Sequence, residues 1–141
     1  MFSWQVAENL GIEGLVQVDI PTPLPKPGEL LVKVEVAALN YSDLLMINDT
    51  YQIKPPKPFT PGQEIAGKVV KVGEGVMFDV GQRVASKVLF GGFAEYAIVR
   101  ADMVIAVPET IALSSAVTLP VSYTTAMVAF TKVIKVQNMA V

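Results

Sequence analysis

The sequence predicts a mainly β protein with minor α, an antiparallel barrel or sandwich followed by a C-terminal helical segment. Three observations carry that expectation. Up to about Pro108, apolar residues come in short runs that alternate with polar ones, the period of a half-buried strand. Ten glycines and ten prolines cut those runs into pieces. Sustained helical spacing of apolar residues begins only past residue 110.

In chain order, Leu15-Val16-Gln17-Val18-Asp19 alternates as a first short strand. Pro21, Pro23, Pro25 and Pro27 then forbid a ladder and favour an extended, polyproline-like connection. Residues 31–36 alternate cleanly, with one face buried and one wet. Residues 40–45 form a candidate helical turn that Ser42 or Asp43 could cap. Residues 51–61 hold Pro55, Pro56, Pro58 and Pro61 and must be an irregular loop. A strand over 65–72 closes at Gly73-Glu74-Gly75, and Asp79-Val80-Gly81 turns into Arg83-Val84-Ala85. Strands over 93–99 and 103–107 follow Gly91-Gly92. Ser114 and Ser115 look like the N-cap of a short helix ending near Leu119, and Pro120 suits the first turn of a second. There Tyr123, Met127, Phe130 and Ile134 fall on one stripe, and residues 137–141 could begin a new strand.

The chain is 141 residues long, one ordinary domain, with a net charge of -2 and no basic block to suggest nucleic acid as a partner. It has no Cys and no His, so disulfides, thiolate metal sites and imidazole proton shuttles are all excluded. The opening residues lack the charged and apolar regions of a signal peptide, and no apolar run approaches the ~18 residues of a membrane span. A soluble cytoplasmic protein with no membrane partner is expected. Hydrophobic residues make up 52% and charged ones 17%, against about 45–50% and about 25% in typical domains. That balance predicts an exposed apolar face, through which the chain would pair as a homodimer or meet another partner.

Several segments together carry a resemblance. They are Pro27-Gly28-Glu29-Leu30-Leu31-Val32-Lys33-Val34, Ala38-Leu39-Asn40-Tyr41-Ser42-Asp43, Pro61-Gly62-Gln63-Glu64-Ile65-Ala66-Gly67, Val72-Gly73-Glu74-Gly75-Val76, Asp79-Val80-Gly81-Gln82-Arg83-Val84 and Gly91-Gly92-Phe93-Ala94-Glu95-Tyr96, then Leu119-Pro120-Val121 with Thr125-Ala126. In this order and spacing the chain resembles the metal-free branch of the medium-chain dehydrogenase/reductase superfamily, the quinone oxidoreductase (zeta-crystallin-like) group. The corresponding stretches of zinc alcohol dehydrogenases carry a metal-binding Cys and a Gly-His-Glu; here those positions hold Asn40 and Gln63.

The resemblance implies a GroES-like, partly open β-barrel over residues 1–110. Residues 111–141 would be a helical connector towards a Rossmann domain that holds the NADPH pyrophosphate at a Gly-rich turn. No such turn follows, and the sequence ends about where that domain's first strand would begin. The chain alone is therefore expected to be inactive.

The resemblance also assigns candidate roles. Asn40 would reach the nicotinamide end of NADPH, since an amide donates and accepts at once; it could equally end a strand and start a turn. Ser42 stands where some zinc dehydrogenases carry a proton-relay hydroxyl, or it caps a helix. Tyr51 would border the pocket and donate to a quinone or enone oxygen, or simply pack, with Tyr41 as a competing candidate. Gln63 would meet substrate or water. Asp43 and Glu64 would order the surrounding backbone. Ser122 and Thr125 lie on the joining helix, where a hydroxyl can touch nicotinamide, and Met127 replaces an aromatic usual in relatives. No metal is expected, because neutral amides are poor zinc ligands and two carboxylates without His or Cys favour harder ions.

The implied activity is transfer of hydride from NADPH to a quinone or an α,β-unsaturated carbonyl. Tyr51, Ser42 or water would serve as hydrogen-bond donors to the developing oxyanion. A non-enzymatic GroES-like binding module and an enoyl reductase of the same superfamily are the alternatives.

Overall fold

The alternating stretches become seven strands in a computed structural model that describes residues 1–7 and 11–133. Strands β1 (Phe2–Val6) and β2 (Leu15–Asp19) pair antiparallel as a two-stranded sheet. The remaining strands are β3 (Glu29–Ala38), β4 (Glu64–Val72), β5 (Arg83–Lys87), β6 (Tyr96–Arg100) and β7 (Val104–Ala106). They form an antiparallel sheet in the order β6-β3-β4-β5-β7. Helix α1 (Tyr41–Ile47) follows β3. The two sheets do not close into a complete barrel. They are laced together by Trp4 N–H to Phe93 O at 2.9 Å, Val6 N–H to Phe59 O at 2.8 Å and Glu95 N–H to Phe2 O at 3.0 Å.

The residues read as a strand from 93 begin their ladder only at Tyr96, because Phe93 and Glu95 spend backbone groups on β1. The expected strand over 103–107 shortens to β7, since Ala101–Met103 is a 3-10 turn. Strand β1 was not anticipated. Its alternation is inverted: Ser3 is buried while Phe2 and Trp4 are 54% and 47% exposed. The Ser3 hydroxyl can be buried because it shares a 2.6 Å hydrogen bond with Thr60 Oγ1.

A β-bulge in β3 gives the larger sheet two different apolar faces. Val34 sits opposite Gly67, yet Val36 sits opposite Ala66, so β3 advances two residues while β4 advances one. Side chains after the bulge therefore change sides. On one side Leu30, Val32, Ile65, Val69, Val84 and Val99 form a buried cluster. On the other, Val36 and Ala38 join Ala66 and Ala85 beneath the C-terminal helical run. Glu64, opposite Ala38 in the register, shares that helix-covered side.

The helical run starts with α2 (Leu113–Ala116), whose N-cap is Ala112. Ser114 and Ser115 lie inside the helix on its exposed side, contrary to the capping role expected of them. The reason is packing: Leu113, Ala116 and Val117 must face the sheet cluster, and that spacing fixes where the first turn begins. A π turn (Leu119–Tyr123) with Pro120 in its first residues leads into α3 (Thr124–Val128) and a second π turn (Ala129–Val133). Pro120 has no N–H to give, and the chain adapts with i−5 bonds, Tyr123 N–H to Thr118 O at 2.9 Å and Thr124 Oγ1 to Leu119 O at 2.7 Å.

Leu113–Val133 is thus one 21-residue helical run, by length and composition long and apolar enough to cross a membrane. That corrects the expectation that no such run exists: its Ser and Thr residues interrupt apolar runs in the sequence but weigh little in its average. Its first turns pack on the sheet, whereas Tyr123, Met127 and Phe130 stand 58%, 52% and 55% exposed. The stripe of Tyr123, Met127 and Phe130 is therefore bare among the described residues. Ile134 and the possible strand at 137–141 lie outside them.

Candidate functional site

The site forms where β3 ends, β4 begins and the helical run crosses above both. Asn40 is in the extended region (φ -106, ψ 156) as the N-cap of α1, so it both ends the strand region and starts the helix. Asp43 lies at the third helical position and accepts the Asn40 backbone N–H at 2.8 Å, one half of a capping box. Asp43 thus shares in the cap, while Ser42 does not: its hydroxyl donates across to Gln63 Oε1.

Asp43 is fully buried, and its Oδ1 has no hydrogen-bond partner among the described residues. Burial pushes its carboxyl above the ordinary value. The Asn40 N–H that it accepts and the backbone of Gly62 pull the other way, and the nearby charge of Glu64 adds to the upward push.

The run from Pro61 to Gly67 needs both glycines. Gly62 has φ +100, and a Cβ there would lie 2.6 Å from the Phe93 ring and 2.7 Å from its backbone nitrogen. At Gly67 a Cβ would strike the Lys33 carbonyl oxygen beside the bulge. Between them Gln63 is 4% exposed, its Oε1 taken by Ser42 and its Nε2 reaching Leu89 O at 3.4 Å.

Glu64 is fully buried and is met by donors on every side. Its Oε1 accepts the backbone N–H of Val121 at 2.7 Å and of Ser122 at 3.1 Å. Its Oε2 accepts Asn40 Nδ2 at 2.8 Å and Ser122 Oγ at 3.1 Å. Ser122 Oγ also lies 3.2 Å from Asn40 Oδ1. A carboxylate here takes up the N–H groups of the residues that follow Pro120 in the π turn.

The structure therefore gathers Asn40, Ser42, Asp43, Gln63, Glu64 and Ser122 into one polar seam. It does not bring Tyr51, Tyr41 or Thr125 into that hydrogen-bonded set. Tyr51 packs, half-buried, on the cluster of Val6, Met46, Ile47 and Phe59. Tyr41 opens α1 with 74% of its surface exposed, and Thr125 is exposed on α3. The Val121 backbone N–H was missed by sequence reasoning. The signals that could have found it are Pro120, marking a helix start, and a charged Glu64 inside an otherwise apolar run.

An open groove of about 690 Å³ lies elsewhere, against Phe2, Trp4, Leu15, Val34, Leu39 and Phe93. No member of the polar seam lines it. Among the described residues no group of three or more acidic, His or Cys side chains is placed to hold a metal ion.

Comparison with known proteins agrees with this architecture. The family model described as "Alcohol dehydrogenase GroES-like domain" matches residues 26–109. Pig quinone oxidoreductase is 37% identical over 116 residues, 81% of this chain but 35% of the pig protein. The crystal structure of human synaptic vesicle membrane protein VAT-1 homolog-like protein superposes with a TM-score of 0.93 at 28% identity, over 97% of this chain and 45% of that one. The quinone oxidoreductase from Thermus thermophilus, solved alone and with NADPH, gives 0.80 at 33% identity, over 94% and 41%. The chain thus spans about a third of the pig protein's length. It belongs to the alcohol dehydrogenase GroES-like domain family, as an N-terminal domain of the quinone oxidoreductase type within the medium-chain dehydrogenases/reductases.

Proposed function

We propose that this chain is the substrate-side domain of an NADPH-dependent, zinc-independent oxidoreductase acting on quinones or α,β-unsaturated carbonyls. The observation that carries the reading is the seam itself. Where a metal-dependent relative would need thiolate or imidazole, this chain offers the amides of Asn40 and Gln63, held in place by Glu64 and Ser42.

The residues present fit the nicotinamide end of the cofactor. Asn40 spends one Nδ2 hydrogen on Glu64, and its Oδ1 lies 3.2 Å from the Ser122 hydroxyl, whose single hydrogen it shares with Glu64. One N–H and at least one lone pair remain. That pair of functions suits a carboxamide or a ribose hydroxyl. Bound NADPH would supply the hydride. The unused N–H of Gln63, its amide held in orientation by the Ser42 hydroxyl, would donate to the oxygen on which negative charge develops, in place of a Lewis acid. Tyr51, half-buried against the cluster that holds Met46 and Ile47 of α1, would brace the site from behind.

The pyrophosphate cradle would come from the part of the protein corresponding to the rest of the relatives' length. That part would also cover the bare stripe of Tyr123, Met127 and Phe130. The test is a fusion of this chain to the remaining portion of pig quinone oxidoreductase, assayed for NADPH oxidation with quinones and enones. Turnover by the fusion and none by the 141-residue chain is expected. A folded fusion that binds NADPH yet reduces neither substrate class overturns the reading.

A further inference from the structure

We propose that Glu64 is a positioning residue that couples the orientation of the Asn40 amide to the seating of the helical run, so that site and helix respond as one unit. The inference rests on the reading of Asn40 as the group that meets the cofactor. It goes beyond that reading by assigning what aims the amide.

The argument starts from the planarity of a carboxylate. Oε1 of Glu64 holds the Val121 and Ser122 N–H groups, and Oε2 holds Asn40 Nδ2 and Ser122 Oγ. Rotation about the last side-chain torsion moves both oxygens together, so neither set of bonds can loosen without disturbing the other. An ionised carboxylate only accepts. Asn40 must therefore turn its NH2 towards Glu64, and its Oδ1 faces the Ser122 hydroxyl at 3.2 Å. The flipped amide would set oxygen against oxygen. Glu64 thus chooses which edge of Asn40 is left for a ligand before any ligand arrives, a preorganisation of the site.

The same geometry ties the amide to the helix. Ser122 reaches both Glu64 and Asn40 from the exposed side of the run. A tilt of the π turn carries Ser122 and the Val121 N–H with it, and Glu64 transmits that movement to Asn40. Coupling of this kind is reciprocal: a change at Asn40 must be felt at the helix to the same degree.

The test uses the 15N-labelled 141-residue chain with no ligand. The Asn40 side-chain resonances and the hydrogen exchange of the Val121 and Ser122 amides are followed in Asn40→Ala, Ser122→Ala and Glu64→Gln. Asn40→Ala is expected to speed exchange at Val121 and Ser122 about threefold or more, and Ser122→Ala to shift the Asn40 side-chain amide. Glu64→Gln, which keeps the size but accepts through one atom only, is expected to do both, with exchange faster by about tenfold. Helix amides unmoved in a folded Asn40→Ala protein, a variant that leaves the buried carboxylate intact, overturn the proposal whatever Glu64→Gln does. The readout needs neither cofactor nor substrate. It can therefore fail while the fusion enzyme turns over, or hold while the fusion is dead.

Discussion

Asp43 and Glu64 are both carboxylates with no exposed surface, on adjoining elements of one site, yet their surroundings differ. Glu64 is surrounded by donors from Asn40, Val121 and Ser122. Asp43 has one oxygen on the Asn40 N–H and the other on nothing. Burying an acid costs little when every lone pair is answered and several kcal/mol when one is not. The difference teaches which acid holds the architecture together: Glu64 joins three segments of the chain, whereas Asp43 orders one helix start and carries an unmet oxygen.

Removing Glu64 should produce the largest effect. Glu64→Ala leaves the Asn40 NH2 and the Val121 and Ser122 N–H groups without partners, and a loss on the order of 3 kcal/mol is expected in urea unfolding. A loss under about 1 kcal/mol would show that water answers those donors as well as the carboxylate does.

The Asp43 half is sharpened by pH. Its folded pKa is raised by burial, so between its ordinary value of 3.8 and the folded value the native state binds more proton than the unfolded chain. Stability from this group is then fully present below 3.8 and is lost as pH rises through the folded pKa. Asp43→Asn cannot titrate, yet its carbonyl oxygen can still accept the Asn40 N–H. The wild-type stability minus that of Asp43→Asn should therefore fall as pH climbs from 3.8 towards neutrality. A difference that stays flat over that range would mean Asp43 finds its missing partner in solution.

Ser122→Ala is a smaller perturbation of the Glu64 side. The carboxylate keeps its two helix N–H groups and Asn40, and loses only the hydroxyl, so about 1 kcal/mol is expected by thermal or urea unfolding. A cost equal to that of Glu64→Ala would transfer the central role from the carboxylate to the serine.

How much of this was legible depended on whether the deciding contact was local. The strand Leu15–Asp19 and the short helix after Asn40 follow from alternation and capping chemistry within a few residues, and both are present. The Pro-rich stretch at 21–27 has no ladder, as its missing N–H groups demand. Strand β1 escaped because one of its two buried residues, beside Val6, is a serine whose partner, Thr60, lies 57 residues away. The bulge at Val34–Val36 also escaped, since alternation continues unbroken through it in sequence while the faces exchange in space. Glu64 shares the helix-covered side with Ala66 by the plain alternation of β4, and the exchange brings Val36 and Ala38 of β3 to that same side. The meeting of the two strands at the site thus depended on a register shift that no local pattern encodes. The members of the seam themselves were legible through the family's motifs, though not their division into rungs, Asn40 with Glu64 and Ser42 with Gln63.

The far end of the helical run supplies the contrast with the smallest effect on stability. Near Glu64 the run is held by a buried charge and by Leu113, Ala116 and Val117. Beyond it Met127 and Phe130 are about half exposed (52% and 55%) and belong to none of the buried clusters. Met127→Lys with Phe130→Lys should change unfolding free energy by no more than about 0.5 kcal/mol per site, as at other open surface positions. The association state should respond instead. A bare stripe that includes Tyr123, Met127 and Phe130 is expected to draw the isolated chain into concentration-dependent self-association, and the double lysine variant to sediment as a monomer. A wild-type chain that stays monomeric over the same concentrations would show that the stripe does not pair with itself. Its apolar character would then answer to a different surface, such as the remainder of a longer oxidoreductase.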